Sequence, residues 1–436
     1  MTILPPTRIG MLAHPIKRVF SAGFAPYTIA LFGVLLTRSI LTGATVRADA
    51  AWVAAVAIPW GLLIHRKSTT PSPFWVLLGA LSIRFLLVGA PPLLSDDLYR
   101  YLWEGVMGLG GYNPYLHAPD MLPGIADSLR TRVNHGYATS IYPPGAHLWF
   151  QAAASMDPRP SALQGLTSLV DVLNVALLLR LCRQRGLGRL PAWIYALHPL
   201  PVLASASGAH IDVLCLCFAL GACAVVAPHR KTALVTLASW IKLFPVMLLF
   251  PVWRSSRSVG FWITFGGTSL LVLAQNSLLR DAGWKSVQSL LLYANHWSFN
   301  GLLYPWLAPI FGGATRPILV ALAACAVLWV LRNNRDMLTI LGLVSVVFVV
   351  TSPTMHPWYG LWLFAPGSVL WGTRATAPLT FLLCGYGVLF GIQEGVWSEP
   401  WWLWWSTWLP AIAGAVWLYR GSSPSLDPNE TPPTAP

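Results

Sequence analysis

The chain has 436 residues, of which 55% are hydrophobic and only 10% charged, against roughly 25% charged in an average soluble domain. Most of its length is therefore excluded from facing water. The formal charge of +13 sits in short clusters between apolar runs, without an aromatic-interleaved basic face, so it reads as a topology signal and not as a nucleic-acid footprint.

The basic residues Arg8, Lys17 and Arg18 precede the first apolar run, but no small-residue cleavage site follows, so the first helix is expected to be retained. Apolar segments at 24–41, 50–64, 74–94, 161–182, 190–207, 211–228, 259–279, 315–332, 337–354, 358–373, 376–393 and 402–419 read as spans. A hydrocarbon layer is about 30 Å thick and needs about 17–25 helical residues, which the short run at 50–64 strains. The expected fold is all-α: a polytopic transmembrane bundle of about twelve spans plus a re-entrant or hairpin segment, integral to an inner (cytoplasmic) membrane. Residues 1–420 form one transmembrane domain on this reading.

With the N-terminus cytoplasmic, the inside loops carry Arg66, Lys67, Arg183, Arg185, Arg189, Arg230, Lys231, Arg254, Arg257, Arg332, Arg335, Arg374 and Arg420. The acids Asp96, Asp97, Glu104, Asp120, Asp127, Asp157, Asp212, Asp281, Glu394 and Glu399 fall outside, leaving Asp336 in an inside loop. Segment 232–253 breaks this alternation, because basic clusters flank it at both ends. It is read as a hairpin bent near Lys242-Leu-Phe-Pro245, where proline interrupts the helix and restricts its predecessor. A single full span there would invert every later loop.

The longest stretch between spans, 95–160, lies outside and is long enough to be functional. Alternation of Tyr99, Tyr101, Leu102, Trp103 and Val106 with polar residues predicts an amphipathic helix over 97–109 at the membrane surface. The turn Gly110-Gly-Tyr-Asn-Pro-Tyr115 should stop it. A second outside loop, 280–312, carries Tyr293-Ala-Asn-His-Trp-Ser-Phe-Asn300, and a third begins at His356-Pro-Trp-Tyr359. From Gly421 the chain is polar and proline-rich, the composition of a disordered tail over 421–436. The six cysteines lie in or beside apolar runs without metal-ligand spacing and read as inert small hydrophobes.

The sharpest chemical signal is the adjacent pair Asp96 and Asp97 at the first outside position after a span. Neighbouring carboxylates repel, so one pKa should rise, and a partly buried carboxylate can then accept a proton from a hydroxyl. Ser95 or Asp96 is equally well placed as a helix cap. Lys242 is an ionisable group in an apolar hairpin, a functional site unless it snorkels from a helix end. Asp171 and Asn174 share a helix face, and with Arg84 and Arg38 they suit buried pairing between helices. His210 and Asp212 either line a cavity or cap the span they begin. Asn295, His296 and Asn300 suit sugar hydroxyls, with Trp297 and Phe299 offering faces to a pyranose or forming an interfacial aromatic belt. No zinc, Walker or dinucleotide motif is present. A divalent cation bridging the acid pair to a phosphate is chemically possible, since hard cations take such oxygens.

Asp97-Leu-Tyr-Arg-Tyr101, Gly-Tyr-Asn-Pro-Tyr115, Ile141-Tyr-Pro-Pro144, Lys242-Leu-Phe-Pro245 and His356-Pro-Trp-Tyr359 together resemble the polyprenyl-phosphate-sugar-dependent branch of the glycosyltransferase C superfamily, closest to bacterial phosphatidylinositol-mannoside mannosyltransferases. The resemblance implies inverting transfer of one hexose, most readily mannose, from a polyprenyl-phosphate-linked donor to a lipid or glycan acceptor at the periplasmic or extracellular face. It implies Asp97 as general base, with Asp96 as fallback. Here two spans precede the one before the acid, a departure from the simplest family layout. In-line displacement also needs a cationic or hydrogen-bonding clamp on the departing phosphate, for which Lys242, Arg100 and His356 are the candidates. Substrate contacts are expected from Tyr99, Tyr101, Asn113, Tyr115, Tyr142, His296, Trp297, Asn300, Trp358 and Tyr359. A transporter or lipid-linked-sugar flippase is the rival, drawing on Asp171, Arg84 and Lys242 as intramembrane charges, and a non-catalytic scaffold is the third reading. No internal repeat supports the rival.

Overall fold

The computed structural model describes residues 72–92, 95–274, 281–372, 376, 378–383, 399 and 401–420. The expected spans at 24–41 and 50–64, most of that at 376–393, the residues Arg38, Arg66, Lys67, Arg374, Cys384 and Glu394, and the tail 421–436 lie outside the described residues. What is described is helical, without a strand; its nearest approach to one is an isolated bridge of Phe299 and Asn300 to Thr354.

Two helices, Pro160–Gln184 and the run Tyr304–Asn333, are long and apolar enough to cross a membrane. Pro73–Phe85, Asp212–Ala224, Val259–Ala274 and Met337–Thr351 are apolar but shorter. Their outward faces suit lipid: Val320, Leu322, Leu328 and Trp329 on one helix, and Trp262, Ile263, Leu270 and Leu271 on another, stand exposed. These surfaces fit a membrane protein, since a soluble monomer rarely exposes apolar area on this scale.

The segment 190–207, expected as one span, is instead broken into Leu190–Leu197, Pro199–Val202 and a π-turn over Leu203–Ser207. Pro199 and Pro201 lack the N–H groups that a continuous helix would use. At the break, the His198 side chain accepts the Leu200 N–H at 3.1 Å.

The helices have two distinct ends. At one, Arg185 pairs with Asp336 at 2.5 Å, Arg180 and Gln184 donate to the Ala224 carbonyl, and Arg254 donates to the carbonyls of Leu331 and Asn334. At the other lie Asp212, Lys242 and Thr354, around a common cavity. Helices of 13–15 residues, Asp212–Ala224, Pro228–Ile241 and Met337–Thr351, bridge the two over about 20 Å. Segment 228–256 starts and finishes at the basic end. Its first helix, Pro228–Ile241, stops at an extended Lys242 (φ −151°, ψ 138°), because Pro245 has no N–H to give the Ile241 carbonyl. The chain then returns through Phe244–Leu248 and Leu249–Ser256.

Between Pro73–Phe85 and Pro160–Gln184, Arg84 and Asp171 form a fully buried ion pair at 2.7 Å. Asn174 and Tyr195 bond the other Asp171 oxygen, so the buried pairing expected of these residues is made.

The helix Asp97–Leu109 starts where expected and ends at Gly110. It is not half-wet. Arg100 and Glu104 are buried along with Leu98, Tyr101, Leu102 and Trp103, because its polar residues find partners inside the protein and not in water. It packs closely on Pro144–Met156, and Gly105 permits this: a Cβ there would meet the Phe150 carbonyl.

Candidate active site

A cavity of about 830 Å³ lies at the end opposite the arginine clusters, a volume suited to a small-molecule ligand. One wall is the start of the Asp97–Leu109 helix with loop residues Asn134, His135, Thr139 and Tyr142. Facing it are Asp212, Lys242, His356, Trp358, Tyr359 and Trp362, and the remaining wall is made by Ser289, Tyr293, Trp297 and Leu319.

Asp97 reaches the cavity with its side chain 21% exposed. Burial, then the neighbouring Asp96, push its carboxyl up to about 7, while Arg100 and Lys242 oppose the rise. Half-ionised near neutrality, such a group suits general-base work. Asp96 is also raised, by burial, and accepts the Asn134 side-chain N–H at 2.5 Å. Neither carboxylate caps the helix. A long contact from the Asp97 N–H to Ser95 Oγ, 3.4 Å, is the remnant of the capping reading.

Lys242 does not snorkel. Its ammonium lies 2.5 Å from Asp212 Oδ1 and 4.4 Å from the centre of the Tyr359 ring, and 28% of the side chain stays exposed. Trp362 Nε1 donates to the same Asp212 oxygen at 2.8 Å. Beside them His210, Trp358, His356 and Phe299 form a column of stacked rings with successive centroid separations of 3.8, 4.6 and 5.1 Å. Burial and then Lys242 bring His356 down to about 3, so near pH 7 it is neutral, with one N–H to donate. Among the described residues no group of three His, Cys, Asp or Glu side chains is placed to hold a metal ion.

Behind the acid pair is a second set of buried polar groups. Arg100 Nη2 donates to the carbonyls of Asn134 and His135, and Nη1 to those of Ala138 and, at 3.5 Å, Glu104 Oε1. Ser140 Oγ donates to Glu104 Oε2 at 2.8 Å and lies 3.1 Å from His147 Nε2. Burial lifts Glu104 to about 7 and drops His147 to about 3. A neutral His147 then donates to Ser140, which donates onward to Glu104.

Residues 19–257 match the family described as alpha-(1->6)-mannopyranosyltransferase, N-terminal domain. The chain belongs to this family. It is also 22% identical over 351 residues to Alpha-(1->6)-mannopyranosyltransferase A of Corynebacterium glutamicum, covering 73% of this chain and 70% of that relative. No solved structure matches. The mannosyltransferase resemblance read from the motifs is thereby confirmed, and the transporter and scaffold readings give way to an enzyme.

In this mannosyltransferase the cavity gathers Asp96, Asp97, Arg100, Tyr101, Tyr142, Lys242, Trp297, His356, Trp358 and Tyr359 from the residues singled out in the sequence. Five others stand outside its wall. Tyr99 takes a hydrogen bond from Arg132, and exposed His296 bonds the Leu292 carbonyl of its own helix. Asn113 closes a turn by accepting the Tyr115 N–H, while the Tyr115 hydroxyl donates to the Tyr142 carbonyl at 2.6 Å. Asn300 is buried against the C-terminal helix, where it bonds Thr407 and its N–H reaches Glu399. None of these five side chains lines the cavity. Two assignments change in kind: Arg100 spends its four Nη hydrogens on protein acceptors, and Trp358, with imidazoles on both faces, presents only its edge.

Glu104, Ser140, His147 and Tyr293 are the site groups that sequence reasoning left without a role, while His210 and Asp212 were read as lining a cavity or capping a span. Tyr293 shares a 3.0 Å hydroxyl contact with Tyr359. His210 and Asp212, two residues apart at a span's outer end, carried the only signal that pointed here.

Proposed function

We propose that this mannosyltransferase takes mannose from a polyprenyl-phosphate-linked donor and transfers it to a hydroxyl of a lipid or glycan acceptor, on the non-cytoplasmic side of the membrane, with inversion. An α-(1→6) linkage is the one named for the Corynebacterium relative. The acceptor oxygen bonds the anomeric carbon as the bond from that carbon to the phosphate oxygen breaks. Its electron pair leaves with the polyprenyl phosphate, and the acceptor proton passes to Asp97. Lys242 meets the developing charge on the departing phosphate, and the His356 N–H assists it.

The observation that carries this reading is the placement of a carboxyl poised near 7 and an ammonium on the walls of one cavity whose lining is otherwise largely apolar. Val320 lines that cavity and is 67% exposed. The apolar wall that Thr315–Asn333 and Lys285–His296 contribute to the cavity suits an isoprenoid chain. Sidedness draws on the arginine clusters at the far end of the helices, which the positive-inside rule assigns to the cytoplasm. The return of segment 228–256 to that same end supports the hairpin, and with it a multi-pass topology.

The purified enzyme in lipid vesicles should transfer radiolabelled mannose from polyprenyl-phosphate mannose and not from a nucleotide-linked mannose. Transfer from the nucleotide sugar alone would overturn the donor assignment.

A further inference from the structure

We infer that His210 is a positioning residue for the transfer: a hydrogen bond from its Nδ1–H holds the Asp97 carboxylate in line as that carboxylate takes the acceptor proton. The inference rests on Asp97 being the base. His210 Nδ1 lies 3.6 Å from Asp97 Oδ2. The imidazole is fully buried, and neither ring nitrogen has a hydrogen-bond partner among the described residues. Buried ring nitrogens are normally satisfied, so one aimed at a carboxylate indicates a bond that forms during the reaction cycle.

The ring is held by its surroundings and not by its own hydrogen bonds. It stacks on Trp358 at 3.8 Å with planes 15° apart. Its opposite edge fills the space above Gly208, where a Cβ would come within 2.5 Å of Nε2. The turn that delivers it forces Ala209 into the left-handed region, φ 47°, a conformation costly for a residue with a side chain and common at functional sites. The separation of 3.6 Å is too long for a hydrogen bond. Closing it takes a shift of a few tenths of an ångström along the Trp358 face, and catalytic hydrogen bonds commonly tighten when substrate binds.

Of the groups around Asp97, Asn134 already lends the carboxyl a side-chain hydrogen bond, from an amide it shares with Asp96. On its own helix Asp97 faces Asp96 and Arg100, the first repelling it and the second already bound to protein carbonyls. Lys242 attracts it from across the cavity but is paired to Asp212. The phenols of Tyr101 and Tyr142, kept protonated by burial, are hydrogen-bonded to one another. A neutral imidazole carries one N–H, and placing it on Nδ1 leaves His210 unchanged in protonation while the proton moves from acceptor to Asp97.

A hydrogen bond to the charged form lowers a carboxyl pKa, and this sets the test. The pH dependence of kcat/KM is measured with polyprenyl-phosphate mannose on the purified full chain, with thermal unfolding recorded for each variant. In His210→Ala the rising limb should move up by about one pH unit, so that the rate falls about fivefold at pH 7, about tenfold at pH 6 and below, and recovers at high pH, with donor KM within about twofold. His210→Asn, whose amide N–H takes the place of Nδ1–H, should restore the limb, and His210→Gln should not. An unmoved limb, or a loss equal at every pH, overturns the proposal. Should the alanine variant fail to fold, equal limbs in the Asn and Gln variants do so instead. Failure of the base assignment is distinct: Asp97→Asn would then keep its rate, whatever the limb of the His210 variants.

Discussion

The buried cluster at Asp171 and the cavity cluster at Asp97 are built from the same kinds of groups, a carboxylate, a cation and aromatic or amide donors, but they are completed to different degrees. Both Asp171 oxygens are occupied, one by Arg84 and the other by Asn174 and Tyr195, and Arg84 Nη1 is satisfied in turn by the carbonyls of Ala80 and Ala196. Around the cavity, Asp212 Oδ2, His356 Nδ1 and both nitrogens of His210 have no hydrogen-bond partner among the described residues. Buried charge that is fully partnered locks helices together. Buried charge left incomplete beside a cavity is available to a substrate, and this distinction, more than the residue types, separates a strut from a site.

The largest effect that could break this comparison is on stability. Asp171→Ala leaves Arg84 buried without its counter-charge, which should cost about 3–5 kcal/mol and show as a sharp fall in the unfolding temperature of the purified protein. Activity per folded molecule should stay within about twofold, and loss of turnover in a fully folded variant would place Asp171 in the mechanism. Next comes Lys242. Lys242→Met should slow transfer by about 10²–10³-fold, the scale of losing one stabilising donor at a developing charge, and should also destabilise by stranding Asp212. Adding Asp212→Asn removes the stranded charge, so stability should recover while transfer stays slow; recovery of both would make the pair a strut like Arg84 and Asp171. The smallest effect is expected at Tyr115→Phe, which deletes the bond to the Tyr142 carbonyl. It should cost about 1 kcal/mol in chemical unfolding without moving the pH profile.

The motifs legible in the sequence were those whose chemistry is local. An acid pair after an apolar run, a lysine before Leu-Phe-Pro, and His-Pro-Trp-Tyr at a helix end all reach the cavity. Hydropathy likewise located most of the helices, although it missed the break at Pro199 and Pro201. What could not be read was direction and partnership. Tyr99, Tyr101 and Arg100 lie within one helical turn, yet one faces an outer arginine, one the cavity and one a set of loop carbonyls. Asp212 meets Lys242 across 30 residues, and His210 meets Asp97 across more than a hundred, contacts set by tertiary packing alone. Asn113 and Tyr115 belong to a motif that matched, but a turn motif fixes the path of the backbone and leaves open which side chains face a ligand.

The central claim is that Asp97 takes the proton. Its raised pKa sets the sign: the ionised base is present above about 7, so the transfer rate should fall about tenfold per pH unit below that value and level off above it. The most direct measurement is the single-turnover transfer rate of wild type and Asp97→Asn across pH 5–9. The account predicts that the variant folds, binds donor, transfers about 10²–10⁴-fold more slowly at pH 8 and loses the rising limb. An Asp97→Asn enzyme that transfers mannose at the wild-type rate, or keeps the same limb, would contradict it.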